Sequence, residues 1–278
     1  MVNERRLIGW ARRVGGRAAC GPVAVLSVSN PGGELVVRAG DVVAKLHNAP
    51  VPHGTLLLAD RLREVFVPPL AASVVGGRPV TLWPLGVPVR EADLESPGPW
   101  ASAGTLLARL HREPVPPGVF GPCGAPVRVE RALGRLASAP SSRGPRAKII
   151  RDALSTVVLP SSPAAALVHG DFHLGQVVHH GGGRRLIDVD GVGVGDPAWD
   201  LARMAAWYLA GVIPPRAWTM FLAAYTAAGG PAVLPGADPW PVLEPYARAL
   251  VVQTAAVAVA KGDLDTAETF VAACRRML

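Results

Sequence analysis

The stretch Leu167-Val168-His169-Gly170-Asp171-Phe172-His173-Leu174-Gly175-Gln176, followed closely by Leu186-Ile187-Asp188-Val189-Asp190, decides how this 278-residue chain is read. Short apolar runs bounded by turn residues read as buried strands. Gly181-Gly182-Gly183 supplies a turn between the two segments. Two separate carboxylates, Asp171 and Asp188, and the Gln176 carboxamide thereby stand at strand ends. Asp190 falls on the same side as Asp188 if the second strand continues. Such oxygen donors suit a hard divalent cation.

Outward from this stretch, the first part of the chain reads as β-rich. Strands are predicted at 23–28, 34–38 and 42–46, with Ser29-Asn30-Pro31-Gly32-Gly33 and Ala39-Gly40-Asp41 as the turns. Helical spacing follows at 55–66 until Val67-Pro68-Pro69 stops it, and a hairpin around Gly76-Gly77 ends in Val80-Thr81-Leu82-Trp83-Pro84. The remainder is mostly helical, with helices predicted at 100–111, 127–137, 145–158, 197–210, 216–228, 240–260 and 263–277. The expectation is an α+β chain of two lobes: a small β-rich lobe at 1–85 and a larger, mainly helical one at 86–278. A cleft beside the linker 83–87 is the expected nucleotide position.

Composition narrows the classes. Half the residues are hydrophobic and 18% are charged, so the chain is globular rather than disordered. Apolar stretches such as 249–260 read as too short and too interrupted to span a bilayer, and residues 1–6 lead into no signal-peptide core. Cys20, Cys123 and Cys274 show no paired spacing, which points to neither a disulfide framework nor a zinc site. A cytoplasmic protein with no membrane partner is expected. The net charge of +7 is spread over scattered arginines without an aromatic-interleaved stripe, so no nucleic-acid partner is expected. Three lysines stand against 25 arginines, which makes Lys45, inside an apolar strand, informative.

The segments quoted first resemble the hallmark of the aminoglycoside phosphotransferase and choline kinase-like family, His-Gly-Asp-x-His-x-x-Asn followed by Ile-Asp-x-Asp/Glu. The Gly175-Gln176 ending is similar to that of the maltokinase-like sugar kinases. The resemblance implies a bilobal protein kinase-like fold and transfer of the γ-phosphate of ATP, with Mg2+, to a hydroxyl of a small molecule. An aminoglycoside-type antibiotic, a sugar or an amino sugar is the implied acceptor, handled by a monomer or homodimer. Asp171 would orient or deprotonate the acceptor hydroxyl, while Gln176 and Asp188, with Asp190 as a further contact or a capping group, would hold the metal. Lys45 would neutralise the α- and β-phosphates, with Asp60 rather than Glu64 as its carboxylate partner. The loop 27–33, with Ser29 and Gly32, would cover the phosphates, and Trp83 would wall the adenine. His169 is then structural, His173 shapes the loop, Asp200 of Asp196-Pro197-Ala198-Trp199-Asp200-Leu201-Ala202 braces it, and Asp196 caps a helix.

Other readings stay open. His169, Asp171 and His173 form a His-x-Asp-x-His pattern that suits a transition metal and a metallohydrolase. A degenerate, non-catalytic nucleotide-binding protein would also keep these motifs. The positive charge counts against a polycationic acceptor. The acidic groups Glu91, Asp93, Glu95 and Asp263, Asp265, Glu268 read as solvated helix ends.

Overall fold

A computed structural model describes residues 4–28, 33–160 and 164–278. Ser29 and Gly32, expected to cover phosphates, lie outside the described residues. The chain divides into two compact units, Met1–Val89 with Gly175–Asp190, and Arg90–Leu174 with Gly191–Leu278. The segment carrying Gln176, Asp188 and Asp190 therefore belongs with the β-rich part and not with the helical part, where a boundary at residue 85 would have put it. Strand pairing draws it there, as shown below.

The first unit opens with helix α1 (Glu4–Gly15), which the sequence reading did not anticipate. Its Leu7, Trp10 and Ala11, at helical spacing, pack on Val37, Ala39, Val42, Ala44, Leu46, Val80 and Leu82. Those residues belong to a five-stranded antiparallel sheet. In chain order its strands are β1 (Val23–Val28), β2 (Leu35–Ala39), β3 (Val42–Leu46), β4 (Ala71–Val75) and β5 (Arg78–Pro84), and in space they run β1-β2-β3-β5-β4. In β3, Val42, Ala44 and Leu46 are buried and Val43 and Lys45 alternate with them. Period-two geometry thus puts Lys45 on the face away from this apolar centre.

Helix α2 (His53–Arg61) is shorter than the 55–66 pattern suggests. Tertiary pairing takes the end of that pattern: Leu186 N–H donates to Val65 O at 2.7 Å and Val67 N–H to Leu186 O at 3.0 Å. The next strands in chain order are β6 (Val87–Pro88), β7 (Ala166–Val168), β8 (Val177–His180) and β9 (Gly183–Leu186), of which β6, β8 and β9 lie side by side in a second antiparallel sheet. These pairings hold Gly175–Asp190 in the β-rich unit.

The second unit contains α3 (Pro97–His111), α4 (Ala125–Ser138), α5 (Pro145–Ser155), α6 (Ala198–Leu209), α7 (Pro215–Ala227), α8 (Trp240–Lys261) and α9 (Leu264–Arg276). A two-stranded ribbon pairs β7 (Ala166–Val168) with β10 (Gly193–Gly195). α8 is the hub, with α4, α5, α6 and α9 packed on it, while α3 packs on α7. Gly104 of α3 lets the two backbones approach, since a Cβ there would collide with Phe221 O. By length and composition α8 is apolar enough to cross a membrane, contrary to the sequence expectation, but 67% of its most apolar window is buried within the fold. Its hydropathy is that of a core helix.

Candidate functional site

Two constellations carry the chemistry, one in each unit. In the β-rich unit, Lys45 Nζ lies 2.7 Å from Asp188 Oδ1 and 2.8 Å from Asp190 Oδ2. The lysine's carboxylate partners are therefore Asp188 and Asp190. Asp60 is not one of them: it is half-buried and bonds Arg63 within its own turn, one residue before the helix ends. Glu64 pairs with Arg185 instead. Burial works against the Lys45 charge, but the charges and hydrogen bonds of Asp188 and Asp190 outweigh it and hold the ammonium above the usual lysine range.

The second strand of the signature stops earlier than the sequence suggests. β9 ends at Leu186, Asp188 takes φ +63°, and Val189–Gly191 forms a 3-10 turn. A non-glycine residue in the left-handed region is uncommon, and Asp is among the types that tolerate it. The turn, and not strand alternation, brings both carboxylates to the same lysine. Gln176 joins them, its Nε2 donating to Asp188 Oδ2 at 3.3 Å.

His47 was missed by the sequence reading, although it follows Lys45 at a two-residue spacing. It is buried, with Nδ1 3.1 Å from Asp190 Oδ2 and Nε2 2.8 Å from Thr81 Oγ1. Trp83 Nε1–H donates to the same Thr81 oxygen at 2.7 Å. Asp190 accepts only, because burial is outweighed by the His47 hydrogen bond and the Lys45 charge, which hold its pKa at about 2. In a neutral ring the proton thus sits on Nδ1 and Thr81 donates its hydroxyl to Nε2. The relay runs from Trp83 through Thr81 and His47 to Asp190. Trp83, expected at the adenine, anchors this relay.

In the helical unit, Asp171 follows a tightly held turn. Asp200 Oδ2 accepts from His169 N–H at 2.6 Å and Oδ1 from Gly170 N–H at 2.8 Å. His111 Nε2 lies 2.9 Å from Asp200 Oδ2, and its Nδ1 lies 2.9 Å from Tyr225 Oη. Burial pushes the Asp200 pKa up, but His111 and His169 pull it down further, below the usual carboxylate range. Gly170 has φ +78°, and a Cβ there would collide with Gly191 O, so the hallmark glycine is a steric requirement. His169 is buried with its ring edge toward Phe172. His173 is partly buried beside this turn. Asp196 Oδ1 accepts from Ala198 N–H at 2.8 Å at the start of α6, while Oδ2 accepts from Tyr246 Oη.

Two arginines hold Asp171 itself. Arg203 Nη2 donates to Oδ1 at 2.9 Å, and Arg128 Nη1 lies 3.0 Å from Oδ2. Neither was singled out from the sequence, where 25 arginines conceal them. Their positive charge is hostile to a cation at Asp171, which argues against the metallohydrolase reading. Among the described residues, the group of three that draws ligand atoms within 4.8 Å of one another is Glu34, His47 and Asp190, not His169, Asp171 and His173. Both His47 nitrogens are already engaged, so that group is a hydrogen-bond relay first.

Comparison with known proteins bears on the family and the fold. Residues 75–243 match the model of a family described as the phosphotransferase enzyme family. No curated protein sequence matches. Among solved structures, spectinomycin phosphotransferase APH(9)-Ia in complex with ADP and spectinomycin superposes with a TM-score of 0.69 at 14% identity, over 99% of this chain and 98% of that one. Amicoumacin kinase hAmiN, in complex with AMP-PNP, Ca2+ and Ami, gives 0.67 at 16%, over 99% and 93%. A choline/ethanolamine kinase family protein from Mesorhizobium loti gives 0.61 at 18%, over 97% and 93%.

Proposed function

The chain belongs to the phosphotransferase enzyme family, and on that premise we propose that it transfers the γ-phosphate of ATP to a hydroxyl of a small molecule. The observation that carries this reading is Lys45 shared between Asp188 and Asp190, with Gln176 alongside. Two carboxylates and a carboxamide are an oxygen-donor set that fits Mg2+. When bound, the ion supplies charge neutralisation on the phosphates. Lys45 contributes a point charge toward the non-transferred phosphates, and His47 fixes the orientation of Asp190. Asp171 accepts the hydroxyl proton as the acceptor oxygen bonds to the γ-phosphorus and the bond to the ADP oxygen breaks. The relatives complexed with ADP and AMP-PNP support the choice of nucleotide.

A coupled ADP-release assay across aminoglycosides, hexoses, amino sugars, choline and homoserine tests the reading. Asp171→Asn is expected to keep nucleotide affinity while lowering kcat by about 10²–10⁴-fold. Unchanged turnover in that variant removes the role given to Asp171. A second reading, nucleotide binding without transfer, is favoured by one observation: both Asp171 oxygens are occupied by arginines. Nucleotide binding with no ADP formed from any acceptor decides for it.

A further inference from the structure

We propose that Arg128 and Arg203 form an oxyanion-reading acceptor subsite over Asp171, so that the compound phosphorylated here carries a carboxylate or phosphate close to its reacting hydroxyl. This rests on the phosphotransferase reading and specifies its substrate class. The residues meet within the helical unit, around a void of about 10 Å³ lined by Arg128, Asp171, Trp199, Arg203 and Gln253 among others. A void that size holds about one water, so a small molecule meets these side chains with one end only, at the accessible parts of Arg128 and Asp171.

Charge decides which end. Two guanidinium groups face one carboxylate, at 2.9 and 3.0 Å, leaving the void one positive charge in excess. Among the described residues, no other carboxylate lines it. The nearby Asp200 is committed to His169 N–H, Gly170 N–H and His111. Burial pulls the proton affinity of Arg203 below the usual guanidinium range, against the charge of Asp171, and the charge of Arg128 adds to the burial effect. An arginine still stays ionised, so the excess charge persists.

The hydrogen-bonding inventory points the same way. Among the described residues, the donors Arg128 Nε and Arg203 Nε are buried without a hydrogen-bond partner. Buried polar atoms left unmatched are costly. A planar oxyanion accepts two parallel bonds from a guanidinium, while an ammonium-rich acceptor meets like charge here. A carboxylate or phosphate seated on Arg128 also relieves Asp171 of one of its two clamps.

The test compares ADP release on two matched sets of probes: glucose, glucosamine, glucuronate and glucose 6-phosphate, and glycerol, serinol, glycerate and glycerol 3-phosphate. In the better-used set, the anionic member is expected to exceed its neutral parent at least tenfold in kcat/KM, with the cationic member lowest. The carboxylate and phosphate members separate the two oxyanion classes. Arg128→Gln should erase that preference while leaving the KM for ATP within twofold, and Arg128→Glu should invert it. Arg128 is partly exposed, with 31% of its side chain accessible, and an unchanged Tm verifies folding. Preference for the neutral or cationic member, or discrimination unaltered by Arg128→Gln, overturns the subsite while leaving the kinase reading intact. A raised KM for ATP with acceptor preference unchanged reassigns Arg128 to the nucleotide and also overturns it. Absence of ADP from every probe, and from the wider acceptor panel, removes the kinase reading and the subsite together.

Discussion

Replacing Asp200 by Asn probes how the turn before Asp171 is held. The carboxylate takes three donors: Gly170 N–H on Oδ1, and His169 N–H and the His111 ring on Oδ2. Asn offers one acceptor oxygen and a donating NH2. Whichever way the amide turns, at least one backbone N–H faces another donor, since His111 can change tautomer but a peptide cannot. A buried donor left unmatched costs about 1–3 kcal/mol, and the remaining bonds each lose about 1 kcal/mol with the charge. The sum is on the order of 3 kcal/mol, equivalent to a fall in Tm of roughly 6–12 °C for a domain of this size. The assay is thermal unfolding of the helical unit followed by circular dichroism, paired with steady-state kinetics. Because Gly170 N–H directly precedes Asp171, kcat should fall while nucleotide affinity holds. A Tm within about 2 °C of the wild type, with kcat unchanged, would refute the bracing argument.

Two further outcomes come from the β-rich unit. His47→Phe leaves Asp190 and Thr81 without their ring partner, so it should cost about 2 kcal/mol and lower Tm by roughly 4–8 °C; His47→Gln should recover part of that, and wild-type melting of the Phe variant would dismiss the relay. Asp190, held at about 2 against an ordinary 3.8, releases its proton more readily in the folded state. Its contribution is therefore complete above about pH 4 and is lost as pH falls toward 2, on the order of 2 kcal/mol. Asp190→Asn should flatten that part of the acid limb in denaturant titrations, and an unaltered slope contradicts it.

The antiparallel hairpins and the helices were legible because hydrophobic period and turn residues are local. The starts and ends of β1, β3 and α8 lie within a residue of where the pattern puts them. The division into units was less so, because Gly175–Asp190 pairs with β6 and with Val65–Val67, contacts made by residues distant in sequence.

At the site, the sequence alone determined the residue types: a lone lysine in an apolar strand, the His-Gly-Asp turn, and the paired aspartates after Ile187. Steric demand explains part of that legibility, since Gly170 admits no side chain. Pairing was a matter for tertiary structure alone. Asp60 sits on the helix where a lysine partner was sought, yet Asp188 and Asp190, 143 and 145 positions beyond Lys45, take the lysine. His47, Arg128 and Arg203 acquired meaning only from what they touch. Charge pairing is set by distance through space and by burial, and a linear pattern encodes neither.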